Sequence, residues 1–194
     1  MLARHGPWVD RTGLPGLLAS SRREAAQDDR ELGRLRAWAA DRVDALTAEL
    51  GSLDYWLATI GVFRVCPVPG ATVIHDDFGE MVRLPKVEPH VHQGSDIEAP
   101  TGAAILAPFD GYATASRSYL GGLEVRLRGD AGYIYNAHLS GLGALGYVET
   151  GDTIGYIGST GDSTAPHDHL EWHPWNATAR DPYPLLAASC LPVA

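Results

Sequence analysis

Histidine and aspartate side chains in this 194-residue chain are spaced as metal ligands often are. His92 and Asp96 lie four residues apart, and on an extended or gently turning segment both can face the same side. His167 and His169 lie two residues apart, and alternate residues of a strand share a face. Two histidines and one aspartate with an open fourth position are the composition of a catalytic zinc site, at which water becomes a nucleophile near neutral pH.

Spacing alone does not select the ligands, because His90 and His92 are also two residues apart. The joint occurrence of three motifs is more specific. An H-x-G-x-D motif begins at His92, and the segment Tyr-Asn-Ala-His-Leu contains His138. An H-x-H motif ends at His169 and is followed by Leu-Glu. Together they indicate one site assembled from three parts of the chain.

The segments around these motifs have the pattern of an antiparallel β domain. After Gly70, short apolar stretches alternate with Asp-Gly, Gly-Gly, Gly-Asp and Thr-Gly turn signals at roughly ten-residue intervals. The predicted strands include 104–107, 123–127, 132–135 and 153–157. No stretch in this part has the period of a long helix. The sequence therefore predicts a mainly β fold of the α+β type, an antiparallel sheet or sandwich.

The preceding segment, from about residue 20 to residue 60, is predicted to be one amphipathic helix. Its apolar positions follow a heptad seam with alternating spacings of four and three. The seam consists of Ala39, Val43, Leu46, Leu50, Leu53, Leu57 and Ile60. Gly51 would allow a break or a hairpin. Three heptads are the lower limit for a coiled coil, so packing on its own domain is slightly preferred over self-association or contact with a partner.

Charge divides the chain at the same place and excludes some partners. Residues 1–63 carry eight basic and nine acidic residues, whereas residues 64–194 carry seven basic and fifteen acidic ones. We therefore expect an N-terminal segment over 1–63 and a β domain over 64–194. The net charge of −9 gives no electrostatic reason to bind nucleic acid. No apolar run approaches the length of a membrane span.

From about Cys66 to Leu186 the sequence resembles the lysostaphin-like zinc peptidases of the M23 family, which cut peptides of bacterial peptidoglycan. The order and spacing of many blocks carry this resemblance. The blocks are HQGSDI (92–97), APTG (99–102), APFDG (107–111), GGLEV (121–125), YNAHLS (135–140), GDTIG (151–155), GSTG (158–161) and PHDHLE (166–171).

The resemblance implies a role for each residue of the site. It assigns one zinc ion per chain to His92, Asp96 and His169. It assigns His138 and His167 as catalytic histidines that do not bind the metal, one as general base and the other steadying the oxyanion. All five are present, which favours a metalloendopeptidase acting on peptidoglycan cross-bridges or stem peptides.

Alternation along strands gives two further expectations. If the segment 135–138 runs as a strand, Asn136 and His138 face one way, toward the groove, whereas Tyr135 and Ala137 face the other. Asp168 lies between two histidines of the site and should face away from it, so we expect it to be structural or exposed to solvent.

Two other functions compete with the peptidase. The first is a non-catalytic module that binds the wall or activates other hydrolases, in which the helix is the working part. The second is a swinging-arm carrier domain, which the hairpin sequence 151–158 resembles. A carrier needs a modified lysine at the hairpin tip, and the single lysine, Lys86, is far from it. The carrier function is therefore rejected.

The resemblance also implies an extracellular or cell-envelope location. The first twenty residues lack the apolar stretch of a signal peptide, which a truncated start would explain. The only two cysteines, Cys66 and Cys190, bracket the β part and permit one disulfide. Because related exported sequences carry cysteines at similar places, we expect these two to pair.

Overall fold

The computed structural model describes residues 14–59, 61–83, 88–175 and 177–191. The chain forms two compact units, one extending to Asp54 and the other beginning at Tyr55. Helix α1 (Leu14–Thr59) supplies the described part of the first unit, and every described strand lies in the second. The second unit also includes the end of α1, where Thr59 is buried and Tyr55 packs against the core.

The described part of the second unit consists of short strands and one further helix. In chain order these are β1 (Val73–Ile74), β2 (Met81–Val82), β3 (His90–Val91), β4 (Ser95–Glu98), β5 (Ala104–Leu106), β6 (Gly111–Ser118), β7 (Gly122–Gly129), β8 (Gly132–Ala137), β9 (Gly141–Leu142), β10 (Gly146–Val148), β11 (Thr153–Tyr156), β12 (His167–Pro174) and α2 (Tyr183–Cys190). The four strands predicted from turn signals correspond to β5, β7, β8 and β11.

Seven of these strands form one sheet, in the order β1-β4-β12-β8-β7-β6-β10. A three-stranded sheet, β5-β11-β9, and the pair β2-β3 accompany it. Every strand pair among the described residues is antiparallel. The predicted mainly β, antiparallel fold with a preceding helix is therefore confirmed.

Strand β12, inside the seven-stranded sheet, has one face toward the core and the other toward the predicted site. Its even-numbered residues up to Trp172 are buried, and Leu170 and Trp172 belong to the apolar core. Its odd-numbered residues, from His167 to His173, project from the opposite face because side chains alternate along a strand. Strand β12 thus contributes core side chains on one face and histidines on the other.

Aromatic side chains hold the end of helix α1 to this core. Phe63 is 5% exposed, and its ring centroid lies 5.9 Å from that of Trp172 and 6.1 Å from that of Phe109. Phe63 was assigned to the N-terminal segment by charge and composition. In the structure it packs within the second unit.

A disulfide joins Cys66 to Cys190 at the end of α2, as the sequence analysis expected. The two cysteines are separated by 124 positions in the chain. The bond therefore encloses almost the whole β part in a single covalent loop.

Helix α1 is continuous through Gly51, so the break considered at that position does not occur. The seam residues Val43, Leu46, Leu50 and Leu53 are 42–61% exposed. These four residues are not buried within the first unit, and packing of the seam on the β domain stays a prediction. Ile60 lies outside the described residues. No described helix is both long enough and apolar enough to span a membrane.

Candidate metal centre

Strands β4 and β12 bring together the ligands predicted for a metal. In their antiparallel register Asp96 is opposite His169, so both side chains lie on the same face. His92, just before β4, places its Nε2 2.8 Å from Nδ1 of His169 and 3.2 Å from Oδ1 of Asp96. Nδ1 of His169 lies 3.1 Å from the same oxygen. The three residues form a compact triangle of donor atoms.

Gly94 explains why the first motif requires a glycine between its histidine and its aspartate. A Cβ at this position would collide with the backbone carbonyl of Leu170. The missing side chain lets the chain before β4 approach β12 closely. This approach brings His92 to the triangle.

The triangle fits a tetrahedral zinc ion. With metal–ligand distances of about 2.0–2.1 Å, neighbouring ligand atoms of such a site are about 3.3 Å apart. The observed separations of 2.8–3.2 Å are close to this value. The Nδ1 of His92 donates a hydrogen bond to the Asp77 carbonyl oxygen at 3.2 Å, which leaves its Nε2 free to be a ligand.

The electrostatics of the triangle favour positive charge. Burial raises the pKa of Asp96, but hydrogen bonds from His169 and His92 outweigh it and hold this pKa well below its usual range. Burial lowers the pKa of His92 and His169, yet the neighbouring carboxylates raise them to about 10 and about 9. The same carboxylates would stabilise a divalent cation.

His138 reaches the site by a turn of the backbone and not by strand alternation. Strand β8 ends at Ala137, and His138 adopts a left-handed conformation with φ of 65°. Tyr135 and Ala137 therefore line the same cleft as His138, whereas Asn136 is buried in the interior. The expectation that Asn136 shares the groove face with His138 is wrong.

Backbone contacts fix this conformation. The His138 amide donates to the Gly121 carbonyl at 2.7 Å, and its own carbonyl accepts from the Thr160 amide at 3.2 Å. Gly122, with φ of 68°, lies so close to Thr160 that a Cβ would collide with the threonine. The glycines 121–122 and the loop at Thr160 thus act together to orient His138.

The two histidines expected to be metal-free share one orientation. His138 donates from Nδ1 to the Thr160 carbonyl, and His167 donates from Nδ1 to the Ala165 carbonyl, each at 2.8 Å. In the neutral tautomers set by these bonds, each Nε2 carries a lone pair. Burial lowers the pKa of His138 to about 4.

All five predicted residues line one cleft of about 630 Å³. The ring centroids of His138 and His167 are 4.6 Å apart, and Nε2 of His167 lies 3.7 Å from Oδ1 of Asp96. His90 also lines the cleft but is not part of the donor triangle. The structure thus separates His90 from the ligand set, a distinction that spacing alone left open.

Three neighbours of the triangle were given no firm role from the sequence. Asp168 is fully buried, so the expectation that it could face solvent is wrong, although it does point away from the site. Glu171 and His173 continue the face of His169 along β12. Burial raises the pKa of Glu171, but hydrogen bonds from His169 and His173 bring it to about 2. The i, i+2, i+4 spacing of these residues on a strand was the available signal.

Comparison with known proteins decides the family. The family model for Peptidase family M23 matches residues 90–182. The catalytic domain of the antimicrobial peptidase lysostaphin from Staphylococcus simulans is 31% identical, with a TM-score of 0.51, over 59% of this chain and 91% of that domain. This chain belongs to peptidase family M23. Membership of this family supports a peptide hydrolase activity.

Other relatives agree with this assignment. The solved structure of LytU is 32% identical with a TM-score of 0.50, over 60% of this chain and 84% of its own. The DD-carboxypeptidase/endopeptidase Mpg of Neisseria meningitidis serogroup B is 39% identical over 85 residues. That match covers 42% of this M23 chain and only 20% of Mpg, so the chain spans about a fifth of the curated relatives it matches.

Proposed function

We propose that this chain is a zinc-dependent endopeptidase that hydrolyses peptide bonds of bacterial cell-wall peptidoglycan. The observation that carries the proposal is the position of two additional imidazoles, His138 and His167, beside the complete triangle of His92, Asp96 and His169. The descriptions of lysostaphin as a peptidase and of Mpg as a carboxypeptidase and endopeptidase support a peptide substrate.

Within this proposal His92, Asp96 and His169 hold the metal. A bound zinc ion would act as a Lewis acid that polarises the scissile carbonyl and lowers the pKa of the attacking water. The hydrogen bond from His92 to the Asp77 carbonyl orients this imidazole toward the ion.

The remaining two histidines, His138 and His167, transfer protons. His138 and His167 each present an Nε2 to the cleft because their Nδ1 atoms are engaged by backbone carbonyls. One neutral imidazole accepts the proton of the attacking water at Nε2, and the other, once it is protonated at Nε2, donates a hydrogen bond to the developing oxyanion. After the bond breaks, a protonated imidazole can return its proton to the leaving amine.

The decisive experiment is digestion of defined peptidoglycan fragments, with the products identified by mass. The zinc-loaded chain should release fragments cut within the peptides, and chelation should abolish this activity. Release of a terminal residue only would make the enzyme a carboxypeptidase. Tight binding of the wall without any cleavage would instead make it the non-catalytic module considered from the sequence.

We further propose that the enzyme acts outside the cell or in its envelope, where this substrate is found. We also propose that the helix has a role of its own. The exposed seam residues Val43, Leu46 and Leu50 support self-association or contact with a partner protein through α1. This role is tested by comparing the sedimentation of the unchanged chain with that of a variant in which Val43, Leu46 and Leu50 are replaced by polar residues.

A further inference from the structure

We propose that Glu171 and His173 are positioning residues that hold His169 in the orientation and tautomer required for metal binding. The inference rests on the proposed zinc site and adds two residues to it. Neither residue belongs to the ligand triangle, and neither would touch the metal.

A continuous chain of polar contacts leads away from the triangle along β12. His169 turns Nδ1 toward Asp96 and His92, and its Nε2 lies 3.3 Å from Oε1 of Glu171. The other carboxylate oxygen of Glu171 lies 2.6 Å from Nε2 of His173. The Nδ1 of His173 lies 3.0 Å from the Ala177 carbonyl oxygen.

This arrangement determines which nitrogen of His169 binds the metal. An ionised carboxylate only accepts hydrogen bonds, so Nε2 of His169 must carry the proton that it donates to Glu171. A neutral imidazole with its proton on Nε2 has its lone pair on Nδ1. That nitrogen is the one in the triangle.

His173 in turn keeps Glu171 in place. Its side chain is 11% exposed, and its ring stacks on Tyr133 at a centroid distance of 4.3 Å and an interplanar angle of 8°. The guanidinium of Arg126 covers Tyr133 at 4.8 Å from the ring centroid. Glu171 is therefore anchored by a ring that is itself packed and bonded at both nitrogens.

The two histidine ligands differ in how they are supported. The Nδ1 of His92 lies 3.2 Å from the backbone carbonyl oxygen of Asp77 and 3.3 Å from its Oδ1, so a backbone acceptor remains whatever the side chain, whereas Nε2 of His169 contacts the Glu171 side chain. Partners of this kind commonly change metal affinity by about 10- to 100-fold when they are removed. Removing Glu171 should therefore weaken zinc binding while leaving all three ligands in place.

The test measures zinc affinity of the full chain by competition with a chromophoric chelator. Glu171→Ala should bind zinc about 10- to 100-fold more weakly than the unchanged chain. Glu171→Gln should lose less, because its amide oxygen still accepts from Nε2. His173→Ala should fall between the unchanged chain and Glu171→Ala. Glu149→Gln is the matched control, since Glu149 is exposed and does not line the cleft.

A second measurement separates positioning from a general loss of structure. Nitrogen-15 NMR of the metal-free chain, recorded above the His169 pKa of about 9 so that the imidazole is neutral, should show its proton on Nε2, and Glu171→Ala should give a mixture of tautomers. Unchanged affinity in both Glu171 variants, or an unchanged tautomer, would overturn the inference. If Glu171→Ala does not fold, the isosteric Glu171→Gln decides by the same two readouts. A failure of the unchanged chain to bind zinc would refute the proposed function instead.

Discussion

Asp96 and His169 lie directly opposite each other on neighbouring strands, with Oδ1 and Nδ1 3.1 Å apart. This pairing brings together the candidate metal ligands of two motifs that are far apart in the chain. Because both strands have a paired neighbour on each side in the seven-stranded sheet, the two predicted ligands are held by a rigid scaffold. His92 is the one ligand supplied by a segment outside a strand.

We expect His169→Ala to lose stoichiometric zinc and His90→Ala to retain it. Removing one of three ligands leaves too few donors for a stable site, whereas His90 only borders the cleft. Metal content measured by atomic emission after gel filtration distinguishes the two variants. Retention of zinc by His169→Ala together with its loss from His90→Ala would reverse the assignment.

The motifs predicted which three residues lie together, because each motif depends on local geometry. A strand places His167 and His169 on one face whatever surrounds it. A glycine is needed at position 94 because the backbone there approaches Leu170 of β12 too closely for a Cβ. The position of His138 was not predictable in the same way. Its left-handed φ results from contacts with Gly121 and Thr160, which are distant in sequence.

Asp168 shows another limit of sequence patterns. A carboxylate side chain is normally exposed to solvent, and strand alternation shows only that Asp168 faces away from His167 and His169. Which face of β12 packs against the core depends on the whole sheet. In the structure that face is the one bearing Leu170 and Trp172, so Asp168 is buried with them.

We expect Asp168→Asn to stabilise the fold at neutral pH. Burial raises the pKa of Asp168 well above its ordinary value, so the folded chain retains a proton that the unfolded chain releases. Its contribution to stability is therefore present below the unfolded pKa of about 4 and is lost as the pH rises toward the folded pKa. The advantage of the asparagine variant should grow by up to about 1.4 kcal/mol per pH unit over that window.

Urea unfolding of the metal-free protein between pH 4 and pH 8 measures this effect. Asp130→Asn, at an exposed position, is the matched control and should show no such trend. A constant difference between Asp168→Asn and the unchanged chain at every pH would contradict the prediction.

Shortening the chain should locate the boundary of the catalytic unit. A chain starting at Tyr55 retains Phe63, whose ring packs against Phe109 and Trp172. A chain starting at Arg64 lacks that ring and should be less stable by about 3–5 kcal/mol, the usual cost of removing a buried aromatic side chain. Thermal unfolding of both chains, with cleavage of a small peptide substrate, tests this. Equal stability would place the boundary at residue 64.

Loss of the disulfide between Cys66 and Cys190 should destabilise the β part. Closing a loop of 124 positions constrains the unfolded chain by about 5 kcal/mol in the entropic model. We expect a marked fall in the unfolding midpoint for the double variant Cys66→Ser/Cys190→Ser. The same fall should follow reduction of the unchanged chain, and reductant should have no effect on the variant. Two reactive thiols in the unreduced, unfolded chain would show that the bond is absent.

His138 should be needed for turnover but not for metal binding. Its Nε2 faces the cleft, while the three ligand positions are filled by other residues. Alanine is a poor test, because a left-handed φ of 65° strains most side chains, whereas asparagine tolerates it. His138→Asn should therefore keep the zinc content and most of the thermal stability. Loss of one proton-transfer group should reduce kcat by about 10²- to 10⁴-fold, or roughly 3–5 kcal/mol of barrier.

Zinc analysis and steady-state kinetics on one preparation of His138→Asn separate the outcomes. A variant that lacks zinc would make His138 a ligand. A variant with normal turnover would leave proton transfer to His167 alone.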